Sequence, residues 1–323
     1  MSIVEQRNLF INSEDPLVGS SLNLSLNLPQ GVMTCNEDQS MKLVLNSFTM
    51  RKNWYSTNKY NNVFYIVAEK TDNTIISSPV VIPEGNYPDF TAFTTAIAVV
   101  LKTALKAVPF NVPDATVNES VSYNTTTQKL SIEFTTQGST FNSFKLVTFT
   151  MLGNRSTFLN TIINGDEINA FQDCFDHLGG CKHTDLTTAD YAGLKKMFSS
   201  ETAGDTHTFT GYFMASLSTE ELVYLRTNLN STNFQTSGFD TYNDKFPAIT
   251  NSTILAKIPI KDIIHYEDNG DKLFSINLLG KKISSLRLYV TDSYGRLIPE
   301  VSPEQVKCSG IAFACSLKVL VSS

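Results

Sequence analysis

Apolar and polar residues alternate along residues 21–28, with Leu22, Leu24, Leu26 and Leu28 on one side and Ser21, Asn23, Ser25 and Asn27 on the other. A period of two is that of a strand with one buried face. Runs rich in β-branched and aromatic residues predict further strands over residues 41–50, 63–69, 74–82, 117–124, 129–135 and 144–151. Turn chemistry at Asn61-Asn62, Asp72-Asn73 and residues 125–128 reads as the tips of consecutive antiparallel hairpins. Strands resume over 253–260, 272–278, 284–291 and 311–321, with Asp268-Asn269-Gly270 and Asp292-Ser293-Tyr294-Gly295 as connecting turns.

Residues 82–108 break this texture with the one long helical pattern of the chain. Phe90, Phe93, Ile97, Val100, Leu101, Ala104, Leu105 and Val108 recur at three- and four-residue steps, while Thr91, Thr94, Lys102 and Lys106 fall on the other side. That stripe predicts a helix lying on a sheet. Pro83-Glu84-Gly85-Asn86 supplies a turn before it, and Asp89 a capping carboxylate at the positive end of its dipole. From 154 to 246 shorter helical patches are predicted, over 188–198 and over 218–229, the second with Ser218 and Glu221 as a capping box. Three segments follow: strand-rich 1–153, a mixed α/β insertion over 154–246, and strand-rich 247–323, the two ends sharing one sheet system. Many short antiparallel strands with long excursions suit a mainly β, two-sheet sandwich of Greek-key type, of which the jelly roll is the commonest large form.

Composition narrows the function classes. The chain of 323 residues is 41% hydrophobic and 17% charged, enough to bury one elaborated domain or two. A net charge of -6 and a pI near 5.3, with no cluster of Lys and Arg, point away from nucleic acid and acidic membranes. No apolar run reaches membrane-spanning length, and the first residues lack the layout of a signal peptide, so synthesis in the cytosol is expected. The five cysteines, an odd number spread along the chain, read as reduced thiols.

The densest polar cluster is Cys174, His177, Cys181 and His183, two thiols and two imidazoles of the kind tetrahedral zinc prefers. The same residues also read as buried thiols beside a polar loop. Glu267, Asp268 and Asp271 sit on a hairpin turn and lack the alternating ligands of a calcium loop, and Asp166 and Glu167 read the same way. Trp54, Tyr55, Tyr60 and Tyr65 could stack on a sugar, but such a group is more often core or subunit interface. Neither G-x-S-x-G, H-E-x-x-H nor a phosphate-binding glycine loop occurs, and His207 and His265 have no adjacent nucleophile, so no catalytic residues and no enzyme are expected.

Several pieces carry a resemblance: Phe10-Ile11-Asn12-Ser13-Glu14-Asp15, the strand at 21–28, Leu45-Asn46-Ser47-Phe48, Asn53-Trp54-Tyr55 and Asn61-Asn62-Val63-Phe64. Ile82-Pro83-Glu84-Gly85-Asn86-Tyr87, Tyr123-Asn124 with Lys129-Leu130, Met151-Leu152-Gly153 and Val290-Thr291-Asp292-Ser293-Tyr294-Gly295-Arg296 continue it. In content and order they resemble the minor capsid, or penton, proteins of virophages, Polinton-like elements and related double-stranded DNA viruses. The resemblance covers residue 9 to about 153 and 284 to 323; segment 154–246 matches nothing nameable. It implies a single jelly roll that closes the fivefold vertices of an icosahedral capsid as a homopentamer beside a major capsid protein. It also implies an insertion projecting outward, where a host receptor would meet it, in a virion protein made in the host cytoplasm without a cofactor. Two alternatives stand beside it: a trimeric spike or fibre head, and a carbohydrate-binding sandwich with Trp54 exposed in a groove.

Overall fold

The computed structural model describes residues 3–14, 19–20, 22–112, 117–136, 141–147, 174–180, 198–218, 222–229, 235–238, 248–251, 254–261, 263–278, 282–292, 295, 297–298 and 312–323. The chain packs as two compact units, Met1–Trp54 with Glu220–Ser323 and, between them in sequence, Tyr55–Thr219. Both expected boundaries, at 153/154 and 246/247, fall outside the described residues. The helix and the strands after Trp54, expected with the sandwich, pack in the second unit.

In the first unit one sheet runs β1 (Ile3–Asn12), β19 (Phe313–Ser322), β4 (Ser40–Arg51), β16 (Ile263–Glu267), with β17 (Ser275–Leu278) also on β4. The other runs β15 (Ile254–Pro259), β12 (Leu222–Thr227), β18 (Ser285–Thr291), β3 (Asn23–Asn27), β2 (Gly19–Ser20). A separate ribbon pairs β13 (Gln235–Gly238) with β14 (Ala248–Asn251). With the two-residue β2 and the β13–β14 ribbon set aside and β16 and β17 counted as one interrupted strand, since they share one edge of β4, first pairs with last, β1 with β19. Second pairs with seventh, β3 with β18; third with sixth, β4 with β16–β17; and fourth with fifth, β12 with β15. A chain folded back on itself in that way and then rolled into two sheets is a jelly roll.

The sequence dictates which face of each strand turns inward. Leu22 and Leu24 are buried, and Met41, Leu43, Leu45, Phe48 and Met50 of β4 meet Phe313, Cys315, Leu317, Val319 and Val321 of β19 in one core. A register shift between Ser316 and Leu317 keeps both sets inward. The two ends of the chain do share a sheet, as expected. Two other expectations are corrected. The strands over 41–50 and 63–69 form no hairpin about Asn61-Asn62: β4 pairs with β19, β16 and β17, and the strand over 63–70 pairs with residues 75–81 and 141–147 instead. The turn at Asp268-Asn269-Gly270 joins β16 to β17, which lie end to end along β4 and do not pair with each other.

The helix expected over 218–229 is instead strand β12. Val223, Leu225 and Thr227 are buried while Leu222, Tyr224 and Arg226 are not, a period of two imposed by pairing on both edges with β15 and β18. No helix follows Ser218 among the described residues; its N–H donates to Ser216 Oγ at 3.2 Å, and Glu221 lies outside the described residues. Of the patch at 188–198, Phe198 opens a strand and the rest lies outside the described residues.

The second unit holds a three-stranded sheet, β6 (Ile75–Val81), β5 (Val63–Lys70), β9 (Phe141–Val147), and a four-stranded one, β10 (Phe198–Ala203), β11 (Thr206–Gly211), β8 (Lys129–Thr136), β7 (Val117–Asn124). The hairpin β7–β8 forms as its turn residues predict, with Asn124 Oδ1 accepting from the N–H groups of Thr126 and Thr127 at 2.9 Å. Helix α1 (Phe90–Lys106) buries Phe93, Ile97, Leu101, Ala104 and Leu105 in this unit's core. Asp89 caps it, Oδ1 accepting from Ala92 N–H at 2.8 Å. Val108, expected in the stripe, is past the helix end and 77% exposed. Thr94, expected outside, is buried with its hydroxyl donating to the Thr91 carbonyl at 3.1 Å. Lys102 reaches Glu119 at 3.1 Å, and Phe90 stacks on Tyr123 at 3.8 Å, so both ends of the helix are tied to β7.

Candidate functional site

Cys174 and His177 lie in the second unit on the short helix α2 (Phe175–Leu178) and just before it, both fully buried. Cys181 and His183 lie outside the described residues, and among the described residues no three His, Cys, Asp or Glu side chains gather as a metal site. The imidazole of His177 is engaged on both nitrogens. Nδ1 sits 2.7 Å from the Ser216 carbonyl and so carries the proton, while Nε2 faces Thr57 Oγ1 at 3.5 Å. Phe93 of α1 packs against the ring at 5.6 Å. Burial pushes its pKa down, opposed by hydrogen bonds to the Ser216 and Ser56 backbone, so a neutral ring joins α2 to the loop after β11.

His207 is likewise built in, Nε2 3.2 Å from Thr136 Oγ1 and Nδ1 3.4 Å from Thr202 Oγ1, against the rings of Phe134 and Phe144. Burial lowers its pKa as well, with the charge of Asp205 opposing. His265 lies on the outer face of β16, exposed, with Nδ1 3.0 Å from Thr49 Oγ1. Asp268 orders its own connection, Oδ1 accepting from Lys272 N–H at 2.9 Å. Asp166 and Glu167 lie outside the described residues.

Two members of the aromatic group are core residues. Trp54 is 3% exposed in the jelly-roll core, whereas Tyr65 is buried in the core of the second unit. What the structure does assemble are two of the sequence motifs. Thr57 and Gly85 form a two-way backbone bridge, Ser56 N–H donates to Asn86 Oδ1 at 2.8 Å, and Asn62 Nδ2 donates to the Ile82 carbonyl at 3.0 Å. Asn58 and Asn61 close the same turn on themselves, Asn58 N–H donating to Asn61 Oδ1 at 2.7 Å. The asparagines between Tyr55 and Val63 thus satisfy the backbone of an irregular segment and fix the approach to α1.

The surface features that sequence reasoning missed are apolar. Phe10 on β1 is 84% exposed. Its signal was present: Leu9-Phe10-Ile11 puts three apolar residues in a row on a strand, so one must face away from the core. Beside it a groove of about 220 Å³ is lined by Leu9, Ile11, Leu26 and Leu28, with Asn12 and Asn27. In the second unit Tyr212, Phe213 and Met214 are exposed in sequence on a loop whose backbone is locked. Phe213 N–H donates to the Gly179 carbonyl at 2.9 Å and Ala215 N–H to the Gln128 carbonyl at 2.9 Å. Gly179, at φ +68°, leaves no room for a side chain beneath the Phe213 carbonyl.

No protein-family model matches the chain, and no curated protein matches it. Among solved structures it is similar to the crystal structure of the mavirus penton protein, at 11% identity and a TM-score of 0.42, over 98% of this chain and 99% of that one. It is also similar to the Sputnik virophage structure determined by cryo-EM, at 15% identity and a TM-score of 0.35, over 98% of this chain and 97% of that one.

Proposed function

We propose that this chain is a structural virion protein, a penton that closes the fivefold vertices of an icosahedral capsid as a homopentamer alongside a major capsid protein. The observation that carries the reading is the jelly roll of the first unit, first strand paired with last, in a chain whose motifs follow the penton order. A rigid sandwich suits a shell subunit, whose neighbours cover its sheet edges. The second unit, inserted between the third and fourth jelly-roll strands, is the part offered to a host receptor. Light scattering of the purified protein over a concentration series tests this: five times the chain mass of 35.8 kDa is expected. A stable trimer would favour a fibre head instead.

The carbohydrate-binding alternative depends on Trp54 as a stacking platform. With Trp54 buried in the same core as Met50, Ile264 and Phe313, that platform is not available.

A further inference from the structure

We propose that the outer face of the jelly-roll sheet β15-β12-β18-β3 is a nucleic-acid site, where Lys257, Arg226 and Arg287 meet a phosphate backbone without regard to base sequence. The surface is read from the first unit alone. Only the choice of nucleic acid among polyanions rests on the virion reading, because what a capsid encloses is a genome.

The strands of this sheet, residues 19–20, 23–27, 222–227, 254–259 and 285–291, hold those three cations and no Asp or Glu. The chain carries a net charge of -6, and each of the other described sheets of three or more strands has a carboxylate: Glu5 and Glu267 in one, Glu69 in the next, Glu119, Glu133 and Glu201 in the last. Val223, Leu225, Leu288 and Val290 are buried in the jelly-roll core, so the residues alternating with them, Tyr224, Arg226, Arg287 and Tyr289, face away from it. Pairing then gathers them: Arg226 lies opposite Tyr289, and Tyr224 opposite Lys257. In sequence the three cations stand on three separate strands, and the register makes them one patch.

The side chains are set for an anion. The Arg226 guanidinium lies 5.9 Å from the centre of the Tyr224 ring, and that of Arg287 5.3 Å from the centre of the Tyr289 ring. Both Nε atoms are held by neutral oxygens, Arg226 donating to Thr291 Oγ1 at 2.9 Å and Arg287 to Asn23 Oδ1 at 2.7 Å. At Arg287, which is exposed, the terminal nitrogens are thereby aimed for a bidentate phosphate contact. Lys257 is exposed too, and among the described residues no carboxylate pairs with it or with Arg287. None of the large apolar side chains left exposed among the described residues belongs to this sheet, so it lacks the groups that a lipid surface takes up. A basic face of this kind follows a polyphosphate backbone.

The test reads the affinity of the full chain for a labelled DNA duplex of random sequence, by fluorescence anisotropy over a salt series. Parent, Lys257→Gln, Arg287→Gln, their double variant and Lys59→Gln are compared, with thermal melting to show that each is folded. Lys59, exposed in the second unit over the Tyr60 ring at 5.2 Å, is a cation in a similar setting away from this sheet. The parent is expected to bind and to weaken steeply with salt; each sheet substitution should make log affinity against log salt shallower by about 0.9, and Lys59→Gln should change nothing. A parent without salt-dependent binding, or sheet variants that bind as the parent does, overturns the inference. Binding to heparin or to phosphatidylserine vesicles with none to DNA overturns the choice of nucleic acid. Light scattering on the same samples keeps the two readings apart, since a pentamer that ignores DNA loses this inference and keeps its place in a capsid.

Discussion

In the jelly-roll unit the long strands find partners far away in the chain: β1 with β19, β3 with β18, and β4 with β16, β17 and β19. In the second unit β5–β6, β7–β8 and β10–β11 are each neighbours in sequence, and the unit's helix is capped by its own preceding residue. Each unit nevertheless has its own closed apolar core. The difference separates two kinds of information. Local turn and cap chemistry names a strand's partner, whereas alternation names only the face that is buried.

Separate cores predict separate failures, which gives the largest effect. Phe93→Asp should abolish the cooperative transition of the second unit and leave that of the jelly roll, because an unpaired buried charge costs several kcal/mol, about 3–5; Leu24→Asp should do the converse. Calorimetry on both variants decides it, and a single transition lost whole in either variant would show that the units do not fold independently.

The same distinction explains what was legible beforehand. The positions of β3 to β8, β15 and β17 to β19, the α1 stripe with Asp89 at its head, and the β7–β8 hairpin are legible, because each is written within about fifteen residues, whereas β1, β10, β11 and β16 carry no such local signal. The partners of β3 and β4 are not legible, since nothing in residues 21–50 refers to residues 285–291 or 313–322. The β12 segment was misread because Leu222, Val223 and Leu225 fit a helical stripe as well as a strand. Burial against β15 and β18, invisible locally, chose between them. Of the candidate site residues, His177 has Thr57 and Ser216 as its hydrogen-bond partners, which no spacing rule connects to it.

A smaller effect contrasts two glycines of left-handed backbone. Gly179→Ala in the second unit should cost about 2–4 kcal/mol, since αL strain adds to overlap with the Phe213 carbonyl. Gly270→Ala in the first unit, at φ +100° but with open space around it, should cost only the strain, about 1–2 kcal/mol. Chemical denaturation of the two variants should therefore rank them; equal costs would mean that the packing beneath the 212–214 loop relaxes freely.

The smallest contrast is in pH. His177 and His207, both held below the ordinary 6.5 by burial, bind fewer protons folded than unfolded once the pH drops beneath that value, so the second unit loses stability as the solution is acidified from about 6.5. In the jelly roll, burial pushes the Cys315 thiol up to about 12 from 9.0, so above pH 9 the unfolded chain releases a proton the folded one keeps, and stability declines with rising pH. Melting curves across pH should show an acid limb in the second unit that His177→Gln with His207→Gln flattens. An alkaline limb in the first should be flattened by Cys315→Ala. Limbs that persist in these variants would assign the titration elsewhere.

The placement of β19 between β1 and β4 also sets an order of events during synthesis. The helix, hairpins and core of the second unit are complete in the growing chain once Thr219 has left the ribosome. The first sheet of the jelly roll must wait, its β1 and β4 made early and left without the strand that joins them until residues 313–322 emerge. From then until residues 313–322 emerge, the nascent chain holds a finished inner unit behind the early strands of an unfinished one. The exposed backbone of β1 and β4 in that interval is where a chaperone would have most to protect.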